Sequence, residues 1–340
     1  MYSLYNKAEV SFRFIKEIGQ EGRNSQAFLA HDENLDAELV IKVIPKANSE
    51  NADEFFNESR SLYRAAHPHV VQIQYACACE ANIYLALPFY KNGSLKSYAE
   101  KNNLSIREII RYGIQIAAGL HNVHSKGLIH FDIKPDNILL SDRNEALVSD
   151  FGLARLINDE EVATPLNMYV KHMAPEWFTD KEFTSQYDIY QLGLTLYRLV
   201  VGDESFHAQL TTFTSLEELE AAVCDGTFPA RITLEHIPSR LGKIISKCLQ
   251  VDLDARYQSV LEVSNDLSKI DDNLIDWRYE VVDGTRRWSK VTNTHEFLLE
   301  VGEDGTAVGQ KRKGEGRWSR ITDACGKLTS AKIKKFLGDH

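Results

Sequence analysis

The chain has 340 residues, 43% of them hydrophobic and 26% charged, with a formal net charge of −10. These values fit a soluble globular protein, and no apolar run reaches the roughly 18 residues that a membrane-spanning helix needs. The start, Met1-Tyr2-Ser3-Leu4-Tyr5-Asn6-Lys7, carries no apolar signal core, so a cytoplasmic location is expected. Five cysteines, at 77, 79, 224, 248 and 325, are odd in number, scattered and without a Cys-x-x-Cys pair. That usage suits a reducing compartment. The charge is uneven. Residues 277–340 hold 13 Lys+Arg and 9 Asp+Glu, a balance of +4, which leaves 26 and 40, or −14, for the rest.

In chain order, Phe12 to Ile18 reads as a strand, Gly19 to Ser25 as a turn and Gln26 to His31 as the returning strand. Such a hairpin can lay backbone N–H groups over phosphates, because glycine permits close approach. Leu39-Val40-Ile41-Lys42-Val43-Ile44 follows as an apolar strand with one embedded lysine. A lysine buried there needs a partner. Phe55 to Leu62 fits a helix that carries Glu58, shortly before His67-Pro68-His69-Val70-Val71. Asn82 to Tyr90 reads as a further strand ending at the Asn92-Gly93-Ser94 turn.

Ser105-Ile106-Arg107-Glu108 has the pattern of a capping box, and Ile106, Ile109, Ile110, Gly113, Ile114, Ala117, Leu120 and Val123 then recur at helical spacing until Lys126-Gly127. This helix delivers the chain to His130-Phe131-Asp132-Ile133-Lys134-Pro135-Asp136-Asn137. A short strand, Glu145 to Ser149, leads to Asp150-Phe151-Gly152, and Ala174-Pro175-Glu176 lies beyond. Asp188-Ile189-Tyr190-Gln191-Leu192-Gly193-Leu194 opens an apolar helix, and Cys248 to Asp252 leads to Arg256.

Taken together, these strings resemble the eukaryotic-type protein kinase family over roughly residues 12 to 270. The resemblance implies an α+β, two-lobed fold, with a β-rich lobe and hinge at 12–90 and a mainly helical lobe at 91–271, after an N-terminal segment at 1–11. It also implies ATP and Mg²⁺ as cofactors and protein substrates. By residue, it makes Asp132 the catalytic base and places Lys134 at the transferring phosphoryl group, with Asn137 and Asp150 on the metal. Gly19, Gly22, Ser25, Ala27, Lys42, Glu58, Leu87, Pro88, Tyr90 and Leu139 would surround the nucleotide, Leu87 as gatekeeper and Lys42 paired to Glu58. Glu176 would pair with Arg256 as scaffold, and Asp188 would anchor the catalytic-loop backbone.

Three positions depart from the family pattern. Ser25 stands where a third glycine is usual. Phe131 replaces the arginine that ordinarily pairs with a phosphorylated loop. Tyr169 occupies a place usually held by threonine, and Thr164 and Tyr169 are the candidate phosphosites. Lys134 is the Ser/Thr-type choice, so transfer to Ser/Thr hydroxyls of proteins, the chain itself included, is the expectation; an ATP-binding pseudokinase scaffold acting through its C-terminal module and a small-molecule phosphotransferase stay open as alternatives.

Residues 277–340 fall outside the resemblance. Arg287-Trp288-Ser289-Lys290-Val291-Thr292 is echoed by Arg317-Trp318-Ser319-Arg320-Ile321-Thr322, and Asp283-Gly284-Thr285 and Asp304-Gly305-Thr306 read as hairpin turns. A small basic β-rich module is expected, closed by a helix from Ser330 to Leu337. It could dock a protein partner or the acidic kinase part, hold nucleic acid through its lysines and tryptophans, or serve structure alone.

Overall fold

The computed structural model describes residues 9–19, 25–46, 56–156, 172–179 and 183–340, without the side chains of Asn57 and Glu58. The N-terminal part is an antiparallel sheet of β1 (Phe12–Gly19), β2 (Gln26–Asp32), β3 (Ala37–Pro45), β4 (Tyr75–Ala78) and β5 (Asn82–Pro88), in the order β1-β2-β3-β5-β4, with helix α1 (Asn57–Arg64) between β3 and β4. Strand alternation sorts β3 into two faces. Leu39, Ile41 and Val43 pack with Ala30 and Ala86 on one side. Lys42 lies on the other, in register with Ala27 of β2 and Leu85 of β5.

The helical part contains α2 (Leu95–Lys101), α3 (Ile106–Ser125), the short strands β6 (Leu128–Ile129), β7 (Ile138–Leu140), β8 (Ala146–Val148) and β9 (Arg155–Leu156), and helices α4 (Gln186–Val201), α5 (Asp203–Leu210), α6 (Leu216–Cys224), α7 (Ser239–Cys248) and α8 (Val260–Ser268). The expected capping box opens α3: Ser105 N–H donates to Glu108 at 2.9 Å, and Glu108 N–H donates to the Ser105 hydroxyl at 3.3 Å. Helix α4 is buried on nearly every side, as its apolar sequence demands. Gly193 lets α4 approach α7, for a Cβ there would stand 2.6 Å from Cys248 Cβ.

A second antiparallel sheet follows, β10 (Arg278–Val282), β11 (Thr285–Val291), β12 (Glu296–Val301), β13 (Thr306–Arg312) and β14 (Ser319–Lys327), in simple meander order, and α9 (Ser330–Asp339) closes it. Asp283 and Gly284 both take positive φ, 47° and 74°, which gives the tight β10–β11 turn its hairpin form. The two repeated segments have different fates. Trp288, on an inner strand, is fully buried with Trp277, Leu299, Ile333 and Leu337. Trp318 precedes β14 at the sheet edge and stays 38% exposed, with the Arg312 guanidinium 4.8 Å from its ring centre.

This sheet packs on the helical part through specific polar contacts. Arg286 pairs with Glu235 at 3.0 Å and Arg278 with Glu108 at 2.9 Å. Trp288 Nε1–H donates to His236 Nδ1 at 3.1 Å. Burial pushes the His236 pKa down to about 3, so the ring is neutral and able to accept that bond at physiological pH.

Gly193→Ala forces α4 from α7 and is expected to cost about 1–3 kcal/mol, as overpacking of a dense core does. Chemical denaturation, read as a lowered midpoint relative to wild type, checks this.

Candidate active site

The segment between β6 and β7 is shaped by α4. The fully buried Asp188 carboxylate accepts from the backbone N–H groups of His130 and Phe131, both at 2.9 Å, and from His124 Nε2 at 2.7 Å. One turn on, Gln191 accepts from Ile133 N–H at 2.9 Å and donates to the Phe131 carbonyl at 2.9 Å. Bonds to a buried carboxylate are strong, and here they hold Phe131 at φ 68°, in the left-handed region. That conformation costs a non-glycine residue about 1–3 kcal/mol and persists only where the surroundings dictate it. The His130 ring ties the loop to the next strand: Asp132 N–H donates to Nδ1 at 3.2 Å, so Nε2 carries the proton and donates to the Ser149 carbonyl at 2.9 Å.

Asp132, Lys134 and Asn137 converge. Lys134 Nζ donates to Asp132 Oδ2 at 3.0 Å, and Asn137 Nδ2 donates to the same oxygen at 2.7 Å and to the Asp132 carbonyl at 2.9 Å. Asp132 Oδ1 is buried and lacks a hydrogen-bond partner among the described residues. An acceptor left in that state calls for a donor from outside.

Lys42 bridges the two lobes, its Nζ 3.0 Å from Asp150 Oδ1. The Lys42 charge outweighs burial and holds the Asp150 carboxyl down at about 2. Asp150 is therefore an anion across the physiological range, and this contribution to the fold is present above the ordinary carboxyl pKa and lost only as pH falls toward 2. Asp150 itself adopts φ 61°, and Phe151 behind it is buried with its ring centre 4.7 Å from that of His130. Asp150 and Asn137 present oxygen donors, which suit a hard divalent cation. No cluster of three His, Cys, Asp or Glu exists among the described residues.

On the sheet side, Ala27, Lys42 and Leu85 share one face, as do Val40 and its partner Leu87. Pro88 ends β5 opposite Leu39, and the Tyr90 carbonyl accepts from Gly93 N–H at 3.0 Å. Ser25 precedes β2, Gly19 ends β1, and half-buried Leu139 bridges to Ser94 from the helical side. Gly22, Thr164, Tyr169 and the Glu58 side chain lie outside the described residues.

Glu176 and Arg256 form the expected pair, two-pronged at 2.8 and 3.1 Å and buried. Phe131 packs into an aromatic cluster, its ring centre 5.6 Å from Phe183 and 5.3 Å from Tyr187. A second buried network lay outside the sequence reading. His172 bonds the Ile133 carbonyl through Nδ1 at 3.2 Å and accepts from Arg198 at Nε2, 2.9 Å away. Arg198 also pairs with Asp136 at 3.3 Å and with Asp203. Burial first, and the Arg198 charge second, hold His172 neutral. The only sequence signal was a lone arginine within an apolar helix, where an unpaired charge is not tolerated.

A sheet that delivers one lysine to an aspartate on a helical lobe, beside a loop pinned from below, defines the two-lobed kinase architecture. The protein kinase domain model matches residues 12–266, and the chain belongs to that family. It is 28% identical over 265 residues to the probable serine/threonine-protein kinase PknB of Lactococcus lactis, covering 76% of this chain and 41% of the relative. It is 28% identical to the serine/threonine-protein kinase PknD of Protochlamydia amoebophila, covering 78% and 30%. Against the human 3-phosphoinositide-dependent protein kinase 1 it is 30% identical, covering 68% and 43%. The chain thus spans less than half the length of these relatives.

Glu176→Ala leaves the buried Arg256 charge uncompensated and is expected to destabilise the protein by about 3–5 kcal/mol. Adding Arg256→Met should recover part of that loss, and thermal or denaturant unfolding of both variants checks the pair.

Proposed function

We propose that the chain transfers the γ-phosphate of ATP to Ser or Thr hydroxyls of proteins, itself included. The observation that carries this reading is the buried, unpartnered Asp132 Oδ1 beside an oxygen held by Lys134 and Asn137. A substrate hydroxyl donating to Oδ1 would satisfy that acceptor and orient its own oxygen toward the phosphoryl group. As the new P–O bond forms, the bond from the γ-phosphorus to the bridging oxygen breaks, ADP departs, and the hydroxyl proton passes to Asp132. Lys134, within reach of the same carboxylate, offsets charge on the transferring group. Lys42 holds nucleotide phosphates while keeping Asp150 ionised.

Asn137 and Asp150 would hold Mg²⁺, which draws negative charge from the phosphate oxygens when bound. Lys134 and the names of the relatives support Ser/Thr as the acceptor class. The cleft face around Ala27, Leu87 and Leu139 would take the adenine, with the Pro88 carbonyl and Tyr90 N–H at its edge. Packing of Phe131 among Phe183 and Tyr187 supports a catalytic loop that needs no phosphate-bound arginine to hold its shape. No helix among the described residues is long and apolar enough to cross a membrane, and the five cysteines are free thiols. Both agree with action in the cytoplasm.

Asp132→Asn keeps the shape of the loop and removes the proton acceptor. It is expected to lower transfer of labelled γ-phosphate from Mg²⁺-ATP by about 10²–10⁴-fold, with phosphoserine and phosphothreonine in the wild-type product. An equal rate in the variant, or label confined to a small alcohol, would contradict the proposal.

A further inference from the structure

A cavity of about 680 Å³ lies where the C-terminal sheet meets the helical lobe. Its floor is apolar, with Leu104 just before α3, Ile109 of α3 and Val200 of α4 opposite Tyr279 and Val281 of β10. The size is that of an ordinary ligand site. Pro135 also lines it, one residue beyond Lys134, so the cavity reaches the outer side of the loop that bears Asp132.

The charges of the wall decide what the cavity accepts. Its cations are already committed. Lys96 pairs with Asp136 at 3.2 Å, and Arg198 is divided among Asp136, Asp203 and His172. Burial works to raise the Asp136 pKa, yet Arg198 and Lys96 together keep it below the usual carboxylate value, so these pairs remain internally neutralised. At the rim, Glu100 and Glu204 are exposed, and neither forms an ion pair among the described residues. The groove therefore offers an apolar floor under a surplus of negative charge, on a kinase part that carries a balance of −14 (26 Lys+Arg against 40 Asp+Glu outside residues 277–340).

We propose that this seam docks a segment of the protein substrate that carries Lys or Arg side chains on an apolar backbone, away from the acceptor residue itself. This rests on the reading of the chain as a protein kinase. The basic side chains meet Glu100 and Glu204, and the apolar ones lie on the floor between α3 and β10. The C-terminal sheet is thereby half of a docking site, and the kinase lobe alone lacks one wall of it. Complementary rim charge of this kind mainly sets selectivity and encounter rate, and its effect weakens as salt rises.

The test uses the full chain carrying Asp132→Asn, so binding is read without turnover and the result stands whether or not phosphate transfer is later found. Two fluorescein-labelled peptides of equal length and apolar content are compared by anisotropy at low salt, one with three lysines and one with glutamates in their place. The lysine peptide is expected to bind about tenfold more tightly or better. Glu100→Lys with Glu204→Lys should bring the two within about threefold, and Val281→Lys on the C-terminal sheet should weaken the lysine peptide by about threefold or more. All three positions are exposed, so folding is not at stake. Equal binding of the two peptides, or lysine-peptide affinity untouched by the double substitution, would overturn the proposal. Indifference to Val281→Lys would remove the sheet from the site and overturn it as well.

Discussion

The Asp188 carboxylate is the constraint on which the rest of the site depends. Buried within α4, it takes two backbone N–H groups and the His124 ring, so the loop from His130 to Asn137 can turn in only one way. The positive φ of Phe131 follows from that grip, and from it follows the direction of Asp132. Gln191 fixes the next stretch, and His130 carries the order on to Ser149 and so toward Asp150. The apolar character of α4, and Gly193 where it meets α7, keep this anchor rigid and dry. In a medium of low polarity each of these bonds is stronger, and each unmade bond costs more.

Charge is handled in the same manner throughout the helical lobe. Every buried ion has a partner close by: Arg256 has Glu176, and Arg198 has Asp136 and Asp203. Among the described residues, the carboxylate oxygen Asp132 Oδ1 lacks a hydrogen-bond partner, and in the proposed reaction a substrate hydroxyl would supply one. The C-terminal sheet extends the pattern by bringing Arg278 and Arg286 onto Glu108 and Glu235. Its positive balance is thus partly spent on the acidic lobe. Since Glu108 belongs to the box that caps α3, and α3 runs to the catalytic loop, the sheet touches the element that delivers that loop.

Much of the site was legible because its parts are contiguous in the chain. His130 to Asn137 and Asp150 to Gly152 carry their spacing with them, and the strand alternation around Lys42 places that side chain on the open face without further information. The capping box at Ser105 and the turn at Asp283-Gly284 were equally local. What escaped were arrangements assembled by packing alone. Arg198 and Asp203 are close in the chain, but His172 and Asp136 come from separate segments, and nothing in their spacing brings them to Arg198. The two Trp-Ser segments look alike in sequence, but strand order puts Trp288 inside and Trp318 at an edge, a distinction that only the completed sheet makes. The seam cavity is more remote still, for it exists only where α3 and β10 meet.

The most direct measurement is amide hydrogen exchange at His130 and Phe131 in Asp188→Asn, taken alongside the rate of phosphate transfer. An asparagine of nearly equal size keeps one acceptor oxygen and turns an N–H donor toward a backbone N–H, so the loss falls on these bonds rather than on packing. If Asp188 fixes the catalytic loop, protection at both amides drops by about tenfold or more relative to neighbouring core amides, and transfer falls with it. Wild-type protection together with a wild-type rate would contradict the dependence of the site on this one carboxylate.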